Sequence, residues 1–185
     1  VLDNKPIAIV DVDNILHPFH DHLYKLLKEV SADIPDWRLW NTWDFYRNYI
    51  TKKSFYRICD SLHAAQESLP PYNESKYLLN YLYDRYYVII ASHRQETNKI
   101  YLINWLDKYK LRFDDIYCGS DKTRLFNNDV SLVIDDSPIV LQAAIDLELD
   151  WCGLLYPWNE DINKRYKNRL FKNLKELIRY RKQQF

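Results

Sequence analysis

Cysteine is scarce in this sequence, and its three residues, Cys59, Cys118 and Cys152, are odd in number and form no CxxC pair. That pattern excludes a disulfide framework, offers no zinc site and fits a reducing, cytoplasmic setting. An excess of one charge is missing too, because Lys plus Arg and Asp plus Glu both stand at 26. Non-specific polynucleotide binding relies on a basic excess, so no stable nucleic-acid complex is expected, and a small anionic ligand suits the balance better. No apolar run approaches the roughly 20 residues that span a bilayer, and the first residues lack a charged segment followed by a long apolar one. The chain therefore reads as soluble and unprocessed, with no membrane partner. Glycine is down to 2 residues, whereas tyrosine, at 16, and tryptophan, at 6, are plentiful. A length of 185 residues allows one well-buried core with a small insertion and excludes two full domains.

Short apolar runs lie at residues 7–12, 87–91, 115–118, 131–134 and 151–156, separated mostly by helical patterns. Strands alternating with helices predict an α/β fold, a doubly wound, Rossmann-like parallel sheet of about five strands flanked by helices. Leu23, Leu26, Leu27 and Val30 follow helical spacing, and Ile100, Ile103, Trp105 and Leu106 mark a second apolar face. Leu170, Leu174, Leu177 and Ile178 predict a last amphipathic helix, with Arg179, Arg181 and Lys182 suited to its carboxyl end. More than 70 residues separate Asp13 from the run at Val88, whereas a βαβ crossover needs as few as about 10–12. Residues 14–72 are therefore expected to form a small helical cap, ended by Pro70 and Pro71, on a core made of residues 1–13 and 73–185. Only 12 residues separate Lys122 from Asp135, which leaves no room for a second cap.

Two acidic clusters follow apolar runs: Asp11 and Asp13 after Ile7 to Val10, and Asp135 and Asp136 after Leu132 to Ile134. If the two runs are neighbouring parallel strands, four carboxylates converge at one carboxyl edge, where open α/β sheets bind ligands. That much unpaired negative charge is costly without a cation. Mg²⁺, held by one or two carboxylates together with a substrate phosphate, relieves it. Ser92, after the run at Val88, either holds phosphate or caps a helix through an S-x-x-Q box with Gln95. His93 and Arg94 either add positive charge near a phosphate or sit on the rim. Lys122 suits a transferring phosphoryl group as a point charge. Ser137 and Pro138, just after the acidic pair, read as a helix N-cap and first helical residue.

The order of these motifs, DVDN (11–14), AS (91–92), Lys122 within SDKT and IDDS (134–137), resembles the haloacid dehalogenase-like superfamily of phosphatases over residues 7 to about 158. The position of the insertion, the DKT around Lys122, and PWN (157–159) followed by a basic helical tail resemble the 5′(3′)-deoxyribonucleotidase family. Two departures stand out. Asn14 replaces the superfamily's usual Gly, and Asn tolerates a left-handed backbone. The SHR that follows Ala91 differs from the TSP-like sequence of the mammalian members.

The resemblance implies a phosphoric monoester hydrolase. Asp11 would be the nucleophile that forms an aspartyl phosphate, and Asp13 the general acid and base. That role needs a protonated Asp13 at the outset; neighbouring carboxylates would raise its pKa, whereas Mg²⁺ would oppose the shift, and the sequence does not rank the two. Asp11, the carbonyl of Asp13, and Asp135 or Asp136 would hold Mg²⁺, while Ser92 and Lys122 bind the phosphoryl oxygens. The cap supplies Phe19, Trp40, Trp43, Phe45 and Tyr46, of which at least one would stack on a base. The expected partner is a small phosphomonoester, a nucleotide, and a homodimer is compatible with this reading. The alternatives are a sugar phosphate or polynucleotide 3′-phosphate as substrate, or a non-catalytic binding module on the same fold.

Overall fold

The computed structural model describes residues 5–184. Six strands, β1 (Ile7–Asp11), β2 (Tyr87–Ser92), β3 (Asp115–Cys118), β4 (Val130–Ile134), β5 (Trp151–Leu154) and β6 (Leu170–Phe171), form a sheet in the order β3-β2-β1-β4-β5-β6. Every neighbouring pair is parallel. Seven helices accompany them: α1 (Phe19–Val30), α2 (Lys52–Ala64), α3 (Ser75–Tyr83), α4 (Lys99–Lys108), α5 (Pro138–Asp146), α6 (Glu160–Arg165) and α7 (Leu174–Gln183). No helix among the described residues is long and apolar enough to cross a membrane.

The inner strands read as unbroken apolar runs because both faces of the sheet are covered. On one face Val10, Ile90, Leu132 and Ile134 pack with Leu23 and Leu27 of α1, Leu78 and Leu82 of α3, Trp105 of α4 and Leu177 of α7. On the other, Ile9, Ala91 and Val133 pack with Leu141 and Ala144 of α5 and Ile162 of α6. Alternate residues of β1 thus serve two cores, as the twofold repeat of a strand requires.

Three expectations need correction. The sheet has a sixth strand, and Leu170 belongs to it: the side chain of Asn173 accepts from the Glu176 N–H at 3.0 Å, so α7 starts only after that cap. Val30 and Ile100 are 57% and 54% exposed. Val30 ends α1, and Ile100 lies about 200° around α4 from the buried Leu102, given 3.6 residues per turn. Their apolar periodicity overstates the width of the buried stripe.

Between β1 and α3 the chain passes through α1, α2 and three short 3-10 turns at Trp37–Leu39, Phe45–Asn48 and Gln66–Ser68. Pro70 and Pro71 separate the last turn from α3, as their missing N–H groups dictate. β1 has β2 on one side and β4 on the other, so the strand order reverses across it. At such a switch point a crevice opens beyond the carboxyl ends of the strands. Val10 pairs with both Ile90 and Ile134, which brings Asp11 and Asp135 to that crevice together.

Candidate active site

Asp11, Asp135 and Asp136 each present an oxygen within 4.8 Å of the other two, and all three are buried. The Lys122 ammonium, carried by the turn after β3, lies 2.9 Å from Asp11 Oδ1 and 2.6 Å from Asp135 Oδ2. One ammonium does not balance three carboxylates. Burial, with Asp135 adding to it against Lys122, pushes the Asp136 carboxyl up to about 7. Burial also raises Asp11 well above the usual range, Lys122 opposing and the neighbouring carboxylates adding to it. For Lys122, burial alone would lower the ammonium, but Asp11 and Asp135 outweigh it and raise it. The all-oxygen donor set and the missing positive charge fit a hard divalent cation.

The two members of the acidic pair are bound differently. Asp135 accepts from Lys122 at Oδ2 and from the Ser137 N–H at Oδ1, 2.8 Å, so both its oxygens are engaged. Asp136 accepts at Oδ2 from Asn14 Nδ2, 3.0 Å, and from Trp158 Nε1, 3.1 Å. Its backbone carbonyl accepts from Asn159 Nδ2 at 2.9 Å. The PWN stretch thus forms the support beneath Asp136. Ser137 and Pro138 do open α5, although the Ser137 hydroxyl makes no cap bond.

Asp13 stands apart from this group. Its carboxylate accepts from His17 Nε2 at 2.9 Å and His63 Nε2 at 3.0 Å, and from Arg94 Nη2 at 3.3 Å. Burial would raise its pKa, but His63, Arg94 and His17 together hold it well below the usual carboxylate range. Its basic partners, which the sequence did not place beside it, decide the direction that the acidic neighbours and a cation left open. The imidazoles face Asp13 through Nε2, and each Nδ1 is buried without a hydrogen-bond partner among the described residues.

Arg94 and Ser92 also depart from expectation. The Arg94 side chain is fully buried, donating from Nε to Ser92 Oγ at 2.7 Å and from Nη1 to Gln66 Oε1 at 2.5 Å, besides its contact with Asp13. Its guanidinium braces the strand end and is not open to a phosphate. Ser92 is the last residue of β2 and caps no helix; Gln95 instead turns its amide to Asp60 Oδ2 of α2, 3.1 Å away. The Ser92 hydroxyl is buried under Arg94, whereas the exposed His93 lines the crevice.

Above the carboxylates lies a cavity of about 720 Å³. Phe19, Trp40, Trp43, Phe45 and Tyr46 all line it. Trp40 and Tyr46 are buried, stacked at 3.8 Å on Phe45 and Phe55 respectively, and Phe19 stacks on the His63 ring at 5.3 Å. Trp43 and Tyr56, both more than a third exposed, keep open ring surface on the cavity.

No family model matches the sequence, and no curated protein matches it. Solved structures do. A hydrolase of the haloacid dehalogenase-like family from Streptococcus pneumoniae superposes with a TM-score of 0.68 at 15% identity, covering 96% of this chain and 98% of that one. The fold is that of the haloacid dehalogenase-like hydrolases. A provisionally assigned phosphatase from Clostridium difficile gives a TM-score of 0.64 at 15% identity over 96% and 99% of the two chains. The provisionally assigned haloacid dehalogenase-type hydrolase YfnB from Bacillus subtilis, solved bound to magnesium, gives 0.58 at 16% identity over 96% and 99%.

Within this haloacid dehalogenase-like fold, the chain adds groups that its sequence did not announce. His63 lies 50 residues from Asp13, and Asn14 lies 122 residues from Asp136. No local pattern links such partners. His17 was within reach of a local reading, since it stands four residues after Asp13. Tyr56 and Phe55 were missed because α2 shows a charged face in sequence and offers no motif.

Proposed function

We propose that this chain is a Mg²⁺-dependent phosphatase that hydrolyses (deoxy)nucleoside monophosphates in the manner of a 5′(3′)-deoxyribonucleotidase. The observation that carries this reading is Asp11, paired with Lys122 and flanked by Asp135 and Asp136, at the floor of an aromatic-walled cavity of about 720 Å³. A cavity of this size suits a nucleoside-sized group. In this reading residues 14–72 are a helical cap over a core of residues 1–13 and 73–185, and Trp43 or Tyr56 stacks on the base, worth roughly 1–3 kcal/mol.

Asp11 Oδ2, the oxygen not held by Lys122, attacks phosphorus, the bond to the nucleoside oxygen breaks, and an aspartyl phosphate forms. Lys122 and the backbone after Ser92 balance the equatorial oxygens. Asp13, held ionised by His63, Arg94 and His17, is ready to take the proton of the water that opens the intermediate. Protonation of the leaving oxygen needs one proton on Asp13, and an entering phosphate dianion favours it by charge. Asp11, Asp136 and the Asp13 carbonyl would hold Mg²⁺, which when bound neutralises charge on the phosphoryl oxygens.

The test is phosphate release from a panel of 5′- and 3′-nucleotides, sugar phosphates and a 3′-phosphorylated oligonucleotide, with Mg²⁺ or with excess chelator. Nucleotides are expected to give the highest kcat/KM, only with Mg²⁺, and Asp11→Asn is expected to abolish turnover while keeping the wild-type circular dichroism. Near-normal turnover by Asp11→Asn would remove the nucleophile. A sugar phosphate as the best substrate would remove the nucleotide assignment.

A further inference from the structure

We propose that Asn14 and His20 are positioning residues for the cation, acting through Asp136: their bonds fix the carboxylate so that Oδ1 is the oxygen left to ligate. The inference rests on the metal-dependent reading above.

Asn14 has φ 66°, in the left-handed region. Glycine would adopt that conformation without strain, so backbone geometry alone does not account for an asparagine here. Its side chain is buried and bonded at both ends. The backbone N–H of His20 points at Asn14 Oδ1 from 2.8 Å. A backbone N–H only donates, so the atom facing it is the amide oxygen, and the amide NH₂ therefore faces Asp136 Oδ2, 3.0 Å away. His20 Nδ1 lies 2.9 Å from the same amide oxygen and so carries the ring proton.

The His20 ring is itself fixed, packed edge-on against Trp37 and Tyr156 at 4.2 and 5.0 Å between ring centres. Tyr156 also donates its hydroxyl to the Asn14 carbonyl at 2.9 Å. Burial brings the His20 imidazole down to about 4, so it stays neutral and its single N–H remains on Asn14. With Trp158 as second donor, Asp136 Oδ2 is doubly bonded to protein, while Oδ1 has no protein donor among the described residues. Removing Asn14 takes away one of the two bonds that set the carboxylate plane. Outer partners of metal ligands typically change metal affinity by about 10- to 100-fold.

The experiment measures metal binding to the full chain without substrate, by calorimetric titration with MgCl₂ and by electron paramagnetic resonance titration with MnCl₂. Asn14→Gly keeps the backbone conformation and removes the amide; its Kd for both ions is expected to rise at least about 10-fold. His20→Phe keeps the ring packing and the backbone N–H, and is expected to give a smaller rise. Trp158→Phe removes the other donor to Oδ2 and is expected to weaken binding as Asn14→Gly does, which keeps the test open should Asn14→Gly fold poorly. Kd values for Asn14→Gly, or for both other variants, within about two-fold of wild type would overturn the positioning role. A wild-type chain that binds neither ion would overturn the metal reading and this inference with it.

Discussion

Arg94 ties the end of β2 to Gln66 and Asp13 through one guanidinium. Beside Ser92 it looks like positive charge offered to a phosphate. In the fold its Nε, Nη1 and Nη2 go to Ser92, Gln66 and Asp13 at 2.7, 2.5 and 3.3 Å, from a fully buried position. A guanidinium serves three acceptors in one plane, and no other side chain does so. Arg94→Met fills the space but takes the guanidinium from buried Ser92 and Gln66 and from the partly buried Asp13, which keeps His17 and His63. Removing one partner of a buried ion pair costs about 3–5 kcal/mol, and that loss is expected in urea denaturation. Arg94→Lys keeps the charge but reaches fewer acceptors, so it is expected to fall between Arg94→Met and wild type. A loss below about 1 kcal/mol for Arg94→Met, the scale of an exposed pair, would show that the brace is not a structural one.

At the scale of elements, β5 meets β4 so closely that the site depends on a missing side chain. A Cβ on Gly153 would lie 1.9 Å from the carbonyl oxygen of Asp135, and Asp135 N–H also donates to the Cys152 carbonyl at 3.2 Å. Both groups are backbone, so neither rotates away. Gly153→Ala is expected to destabilise the chain by about 1–3 kcal/mol, the usual cost of overpacking. It is also expected to weaken Mg²⁺ binding, because relief of the clash moves Asp135 and Asp136. Thermal melting and a MgCl₂ titration of the same variant check both, and an unchanged affinity would show that strain is absorbed on the β5 side.

The same elements explain what sequence could reveal. β1, β2 and β4 were legible because strands covered on both faces must be continuously apolar, and Asp11, Lys122, Asp135 and Asp136 were legible because polar groups break those runs at their ends. β6 is two residues long, too short for any period. Apart from His17, the partners of Asp13 and Asp136 come from turns and helices that only the folded topology brings near, so His63 and Asn14 as a donor had no local signature, and Trp158 stood out only within PWN, not as a donor to Asp136.

Over the whole molecule charge is balanced, with 26 acidic and 26 basic residues, yet the crevice concentrates carboxylates that burial keeps from water. This sets a dependence of stability on pH and metal together. Asp136 has an ordinary value of 3.8 and is pushed up to about 7 by burial and by Asp135, and Asp11 moves in the same direction. Folding therefore disfavours their ionised forms, and their contribution to stability is fully present below the unfolded value and lost as pH rises through the folded one. Asp13 is shifted the other way, so its contribution is lost only as pH falls below its ordinary range and does not act in that window. The part of the metal-free stability set by these two carboxylates, read as the difference in melting temperature between wild type and Asp136→Asn, is thus expected to fall from pH about 4 to about 7. The buried imidazoles His17 and His20, held below their ordinary range, act in the opposite sense below pH about 6.5. Bound Mg²⁺ needs the same carboxylates ionised, so the rise in melting temperature with excess Mg²⁺ is expected to grow across that range; at one hundred times Kd such binding is worth about 2.7 kcal/mol. Asp136→Asn removes one titrating ligand and is expected to flatten that growth. Melting curves across pH with Mg²⁺ or chelator decide it: an increment that stays level from pH about 4 to about 7 would mean that no proton is released from this crevice when the cation enters.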